Sequence, residues 1–163
     1  MKLIIEPNPK LRQISKKIKK FDKNLEKLAL SMIETMRKEN GVGLSAIQIG
    51  KPVKLSVIEF QKKKMDQQCI EEMRAYNEIP LTILVNPKIT KYSKNSYIAS
   101  EGCLSLPKIE IPIKRSAEVN VLAYDLQGNR IKIRARDFFA RILQHEIDHT
   151  NGILITDRIN EKN

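Results

Sequence analysis

Apolar positions recur at helical spacing in two parts of this chain and alternate with polar ones in several others. Between Asp22 and Gly41, Leu25, Leu28, Met32 and Met36 fall on one stripe. That pattern predicts an amphipathic helix, capped by Asp22 and ended before Gly41, where glycine can take a left-handed conformation. A second stripe runs through DFFARILQHEIDHTNG, where Phe138, Phe139, Ile142 and Leu143 form the apolar face, Asp137 is the N-cap and Gly152 the C-cap. Asn8-Pro9 opens a short first helix. The β-branched runs KLSVIEF (54–60), LTILVNP (81–87), IEIPIKR (109–115), AEVNVLAYD (117–125) and RIKIRA (130–135) read as strands, the last two joined by a hairpin turn at Leu126-Gln127-Gly128-Asn129. The polar stretch QKKKMDQQCIEEMRAYNEIP reads as an exposed loop with Cys69 as a bystander thiol. Helices around antiparallel strands, without βαβ alternation, predict an α+β fold. A chain of 163 residues with no linker or repeat is expected to form one domain over residues 1–163.

Composition narrows the setting. Hydrophobic residues make up 41% and charged residues 30%, which suits a globular chain rather than a disordered one. The formal charge of +11 would suit an anionic partner such as RNA or a ribosome, but with no Arg-rich or aromatic-interleaved motif beside it the charge reads first as an ordinary lysine-rich surface. Neither a signal peptide nor a run of ~18 apolar residues is visible, so a cytoplasmic protein with no membrane span is expected. The two cysteines, Cys69 and Cys103, make no disulfide scaffold.

The chemistry concentrates near the end of the chain. Its only two histidines, His145 and His149, stand four residues apart in QHEIDHT and continue the Phe138–Ile142 stripe. On a helix they project from one inward face and can bind one metal ion, while Glu146 flanks that line without having to ligate. Two histidines need a third ligand to leave one position open for water. The extended zinc-peptidase pattern would put a further histidine at Ile155, so the third ligand is sought upstream. Cys103, in EGCLSLP, is the candidate. Alone it reads as an inert core thiol. Beside a histidine pair it completes a sulfur–nitrogen site suited to Zn²⁺ or Fe²⁺. The glycine-rich GVGLSAIQIG (41–50) lacks the Gly-Lys-Ser/Thr ending of a phosphate loop.

Three motifs together resemble the peptide deformylases: Gly41-Val42-Gly43-Leu44-Ser45-Ala46-Ile47-Gln48, Glu101 to Ser105, and Gln144 to His149. Asn86-Pro87 and Arg115 extend the resemblance over nearly the whole chain. Ser45 stands where the family's first alanine is usual, and Thr150 where leucine is common. The resemblance implies antiparallel sheets packed around a central metal-binding helix. It also implies a metal-dependent hydrolase that removes the formyl group from the N-terminal formyl-methionine of nascent polypeptides, releasing formate. Cys103, His145 and His149 would hold one divalent ion, Fe²⁺ by family habit, with Zn²⁺, Ni²⁺ and Co²⁺ also accepted. Glu146 would be the general acid–base, and Gln48 with the Leu104 backbone N–H would stabilise the oxyanion. Val42, Phe138 and Ile142 are candidates for the methionine pocket, Gly43 for contact with the peptide backbone, and Glu101, Arg115 and Asp148 for support behind the ligands. The partners implied are nascent formyl-methionyl peptides, with a ribosomal contact through the positive charge, and no DNA. Two rival readings remain: a His-Glu-x-x-His zinc endopeptidase, and a non-catalytic basic RNA-binding or ribosomal protein with a structural metal.

Overall fold

In a computed structural model of the chain, residues 1–62 and 76–159 are described. Cys69 and most of the polar stretch around it lie outside those residues. Among the described residues, seven strands form two antiparallel sheets. The larger has the order β1-β2-β3-β6-β7, from Gly43–Ser45, Leu55–Phe60, Ile79–Tyr92, Glu118–Tyr124 and Arg130–Arg136. The smaller pairs β4 (Ser96–Cys103) with β5 (Leu106–Ser116). Among the described residues two α-helices accompany them, α1 (Lys23–Lys38) and α2 (Asp137–Thr150). The fold is α+β, with α2 packed on the strands.

Each helix carries the stripe its sequence announced. On α1, Leu25, Met32 and Met36 are buried against Leu55, Val57 and Val85 of the sheet. On α2, Ala140, Leu143 and Ile147 pack with Ile58, Leu84 and Val121. Fully burying such side chains contributes about 1.5–3 kcal/mol each, so these two interfaces hold the sheet between the helices. Asp22 caps α1 as expected, accepting from the N–H groups of Asn24 and Leu25 at 3.0 Å.

The other helix ends differ from expectation. Asn40, at φ 53°, takes the left-handed position after α1, and Gly41 follows it, donating to Met36 O at 2.9 Å. Asn tolerates that conformation, so glycine is not needed there. Asp137 is the first residue of α2 rather than its cap; Arg136 holds the cap position with no side-chain capping bond. Gly152 does close α2 in the left-handed region, at φ 75°. A Cβ there would also collide with the Arg12 carbonyl, so the residue is held to glycine twice. Ser15 N–H donates to Thr150 O at 2.9 Å, tying the N-terminal segment to the end of α2.

Strand β3 runs further than the 81–87 apolar run. It passes through Asn86-Pro87, where the register with β6 shifts. Proline has no N–H for the ladder, and a bulge accommodates it. No helix among the described residues is long and apolar enough to cross a membrane.

Candidate metal centre and active site

The two histidines reach the site because α2 places residues four apart on one face. Cys103 reaches it at the end of β4, before the tight turn into β5. The ligand atoms of Cys103, His145 and His149 all lie within 4.8 Å of one another. Cys103 Sγ is 3.3 Å from His149 Nε2, which is 3.2 Å from His145 Nε2. Bonds of about 2.3 Å to sulfur and 2.0–2.1 Å to nitrogen in a tetrahedron separate ligand atoms by roughly 3.3–3.6 Å, so the spacing suits one ion. His145 Nδ1 meets Glu101 Oε2 at 3.0 Å, which fixes the ring's tautomer and turns the Nε2 lone pair toward the shared point.

The charges of the protein point the same way. Burial alone would push the His145 imidazole down, but hydrogen bonds to Cys103 and Glu101 and the charges of Cys103 and Glu146 outweigh it and lift it to about 10. Burial, followed by the charges of His145 and Arg115, pushes His149 well below its ordinary value. His149 is thereby kept neutral with a nitrogen lone pair to give, and the sulfur–nitrogen donor set fits a divalent cation.

Behind the ligands lies an ion-paired network. Arg115 grips both Glu101 oxygens at 2.9 Å and also donates to Asp148. Arg141 Nη1 donates to Glu101 Oε1 at 2.7 Å and to Ile113 O at 2.9 Å, and its guanidinium lies 4.6 Å from the Tyr97 ring centre. Arg158 Nε donates to Asp148 Oδ2 at 3.0 Å. Burial would raise the Glu101 carboxyl, yet the hydrogen bonds from His145 and Arg115, with their charges, hold it well below the usual range. Glu101, Arg115 and Asp148, singled out in the sequence as support, are thus one buried unit that orients His145. Arg141 belongs to the same unit; it had no signal in the sequence beyond lying on α2.

Glu146 is buried beside the ligands, and burial raises its carboxyl pKa. One oxygen, Oε2, accepts from Ser45 Oγ at 2.7 Å; that hydroxyl also lies 2.8 Å from Ser56 Oγ. The other side of the carboxylate occupies the space a Cβ on Gly43 would need. Gly43 is therefore required by the glutamate next to it. The hydroxyl of Ser45, at the position where the family's first alanine is usual, holds that glutamate in place.

Gln48 is also buried, and its amide is oriented at both ends. Oε1 accepts from the Ser45 N–H at 2.8 Å, while Nε2 donates to Ser105 Oγ at 3.2 Å and faces Cys103 Sγ at 3.6 Å. The amide N–H groups accordingly point toward the ligands. Gln144, the first residue of the third motif, has a structural part: its amide brackets Ser116, accepting from N–H at 3.2 Å and donating to C=O at 2.9 Å.

A cavity of about 560 Å³ opens onto this centre, lined by Val42, Gly43, Leu104, Phe138 and Ile142 beside Cys103, His145 and Glu146. All four expected substrate-contact positions are present in its wall. Tyr76 joins them, its ring stacked on Phe138 with centroids 4.4 Å apart. The sequence had placed Tyr76 in an exposed loop, because an aromatic within a polar stretch gives no periodic signal. The arrangement provides one sulfur and two imidazole ligands, a buried carboxylate, an oriented amide donor and an apolar recess.

The chain is similar to known proteins over nearly its whole length. The model of the family described as polypeptide deformylase matches residues 1–163. A peptide deformylase of Brucella suis is 40% identical over 159 residues, covering 98% of this chain and 84% of that protein. The peptide deformylase structure from Thermotoga maritima superposes with a TM-score of 0.83 at 33% identity, covering 98% and 97% of the two chains. A Met-Ala-Ser-bound class I type b peptide deformylase from Acinetobacter baumannii gives 0.89 at 29% identity, covering 98% of each. With a match along its whole length and relatives of this similarity, the chain belongs to the polypeptide deformylase family.

Proposed function

We propose that Cys103, His145 and His149 hold one divalent metal ion with which this enzyme hydrolyses the formyl group from N-formyl-methionyl peptides, releasing formate and a free amine. The observation that carries it is the convergence of those three ligands on one point beside buried Glu146, at the mouth of an apolar recess. When bound, such an ion acts as a Lewis acid and makes a nucleophile of water near neutral pH. Glu146 accepts the water's proton and later delivers it to the leaving amine, its raised pKa suiting both duties. Gln48 Nε2 and the Leu104 N–H donate to the oxygen on which charge develops as the formyl carbon is attacked. Val42, Phe138 and Ile142 take the methionine side chain, with Tyr76 and Leu104 completing that surface. Gly43, on edge strand β1, lies where a peptide backbone can add as a further strand.

Ferrous iron suits the mixed sulfur–nitrogen set as well as zinc does, and we take it as the working metal. The positive charge of +11 supports work on nascent chains at a ribosome in the cytoplasm. The test is formate release from formyl-Met-Ala-Ser by metal-loaded protein prepared without air. Wild type releases formate, and Glu146→Ala keeps its metal but loses roughly a hundred- to ten-thousandfold in rate. Wild-type protein that holds metal and releases none would overturn the reading. Activity equally durable in air and under nitrogen would exclude iron, since both Fe²⁺ and the Cys103 sulfur oxidise.

A further inference from the structure

A second concavity lies apart from the catalytic one. On the other side of α2, where Ile147 and Asn151 face away from the metal ligands, lies a groove of about 650 Å³. It contains Lys17, Lys54 and Lys88 together with Phe21, Tyr92 and Tyr124. No acidic side chain is among the described residues that line it. Among the described residues neither Lys17 nor Lys88 has a carboxylate partner, and Lys54 Nζ donates only to the neutral Asn151 Oδ1, at 2.9 Å. Burial and the charge of Lys17 hold the Lys54 ammonium below its ordinary pKa, so the groove already stores repulsion between like charges.

This groove is built rather than incidental. Lys54 N–H donates to Lys16 O at 2.9 Å, and Asn86 N–H to Lys54 O at 2.7 Å. The Asn86 side chain bridges the backbone of Ile18, accepting from N–H at 2.8 Å and donating to C=O at 2.9 Å. The three lysine-bearing segments are therefore stitched together before any ligand arrives, which removes the ordering cost from binding. Exposed Lys16, Lys19, Lys20, Lys91 and Lys94, near the lining residues in sequence, add to the positive charge. At the rim, Tyr92 is a large aromatic side chain that is 57% exposed.

We propose that this groove binds single-stranded RNA. Unpaired ammonium groups in a concavity focus positive potential, and lysine neutralises phosphates as a point charge without demanding one geometry. An exposed aromatic ring beside such a track is a platform on which an unstacked base can lie. An acidic peptide would satisfy the lysines but leave Tyr92 without a purpose, and the groove is too small for a double helix. Because α2 stands between the two concavities, an RNA strand seated here leaves the catalytic recess open. The proposal stands independently of the residue roles assigned to catalysis.

Fluorescence anisotropy of the full-length protein with a short fluorescein-labelled oligouridylate tests it. Three neutralised phosphates predict a log–log salt slope of about −2, at roughly 0.7 per phosphate on a single strand. The triple variant Lys17→Gln/Lys54→Gln/Lys88→Gln is expected to bind at least about tenfold more weakly with a flattened slope, and Tyr92→Ala to lose about tenfold. Lys114→Gln/Arg130→Gln/Lys132→Gln, which removes the same charge from other exposed strand positions, is expected to keep most of the affinity. Formate release by the groove variant, unchanged from wild type, reports that its fold is intact. Equal losses in the two triple variants would mean diffuse attraction and overturn the groove as the site. Displacement by polyglutamate as effective as by unlabelled oligouridylate, with Tyr92→Ala neutral, would mean an acidic protein partner and overturn RNA. No binding at low salt would overturn both.

Discussion

The two sides of α2 handle charge in opposite ways. Behind the metal ligands, the buried ions are paired: Glu101 is shared by Arg115, Arg141 and His145, and Asp148 by Arg115 and Arg158. Away from them, Lys17, Lys54 and Lys88 share a groove with no carboxylate among its described lining. Burial explains the difference. A charge out of water costs several kcal/mol unless partners replace its hydration, so Arg115, only 5% exposed, has to be paired. Lysines that keep contact with water can remain uncompensated, and that surplus is available to a ligand. The paired side positions chemistry, and the unpaired side offers attraction.

Substitutions can break that comparison or sharpen it. The largest effect on stability is expected from Arg115→Met, which strips Glu101 and Asp148 of a shared partner. Loss of one member of a buried pair costs about 3–5 kcal/mol, read as a lower urea midpoint. A loss below about 1 kcal/mol would mean that Arg141 and Arg158 suffice, and that the pairing is redundant. Gln48→Leu comes next. It removes the amide aimed at the ligands and leaves the Ser45 N–H without its acceptor. The rate should fall roughly a hundred- to a thousandfold with metal still bound, and stability by about 1–3 kcal/mol. A rate loss no larger than the stability loss explains would remove Gln48 from the chemistry.

Acid should act on the paired side selectively. The Glu101 carboxyl is held below its ordinary range when folded, so its contribution is complete above the unfolded carboxylate pKa of about 4.3 and drains as pH falls below that. Urea midpoints measured between neutral pH and about pH 3 should fall, and Glu101→Gln should flatten the fall. The smallest effect belongs to the groove. Lys54→Met removes a repelled ammonium and should change stability by under about 0.5 kcal/mol, toward stabilisation if at all. A large loss would show that Lys54 is structural, and would weaken the contrast between the two sides.

Much of this was legible in the residues. The stripes of α1 and α2 and five of the strands follow from periodicity, because each is set within one element. The pair His145–His149 was legible for the same reason: spacing of four on a helix fixes a common face wherever the helix packs. Legibility failed where the signal is not local. Strand β1 is three residues inside a glycine-rich segment and exists only because β2 pairs with it. Tyr76 and Arg141 show their roles only through contacts with Phe138 and Glu101. Ser45 shows the use of its hydroxyl, at a position where the family's alanine is usual, only through its contact with Glu146.

The sequence by itself therefore determined the fold class, the histidine pair with its neighbouring glutamate, and, through three motifs, the family. Tertiary structure alone decided that Cys103 Sγ meets both imidazoles, that Gly43 must lack a side chain to admit Glu146, and that lysines from three separate segments share one groove. The reason is physical. Helical and strand periodicity act between near neighbours in the chain. The meeting of residues far apart in sequence depends on which faces the strands and helices bury against one another.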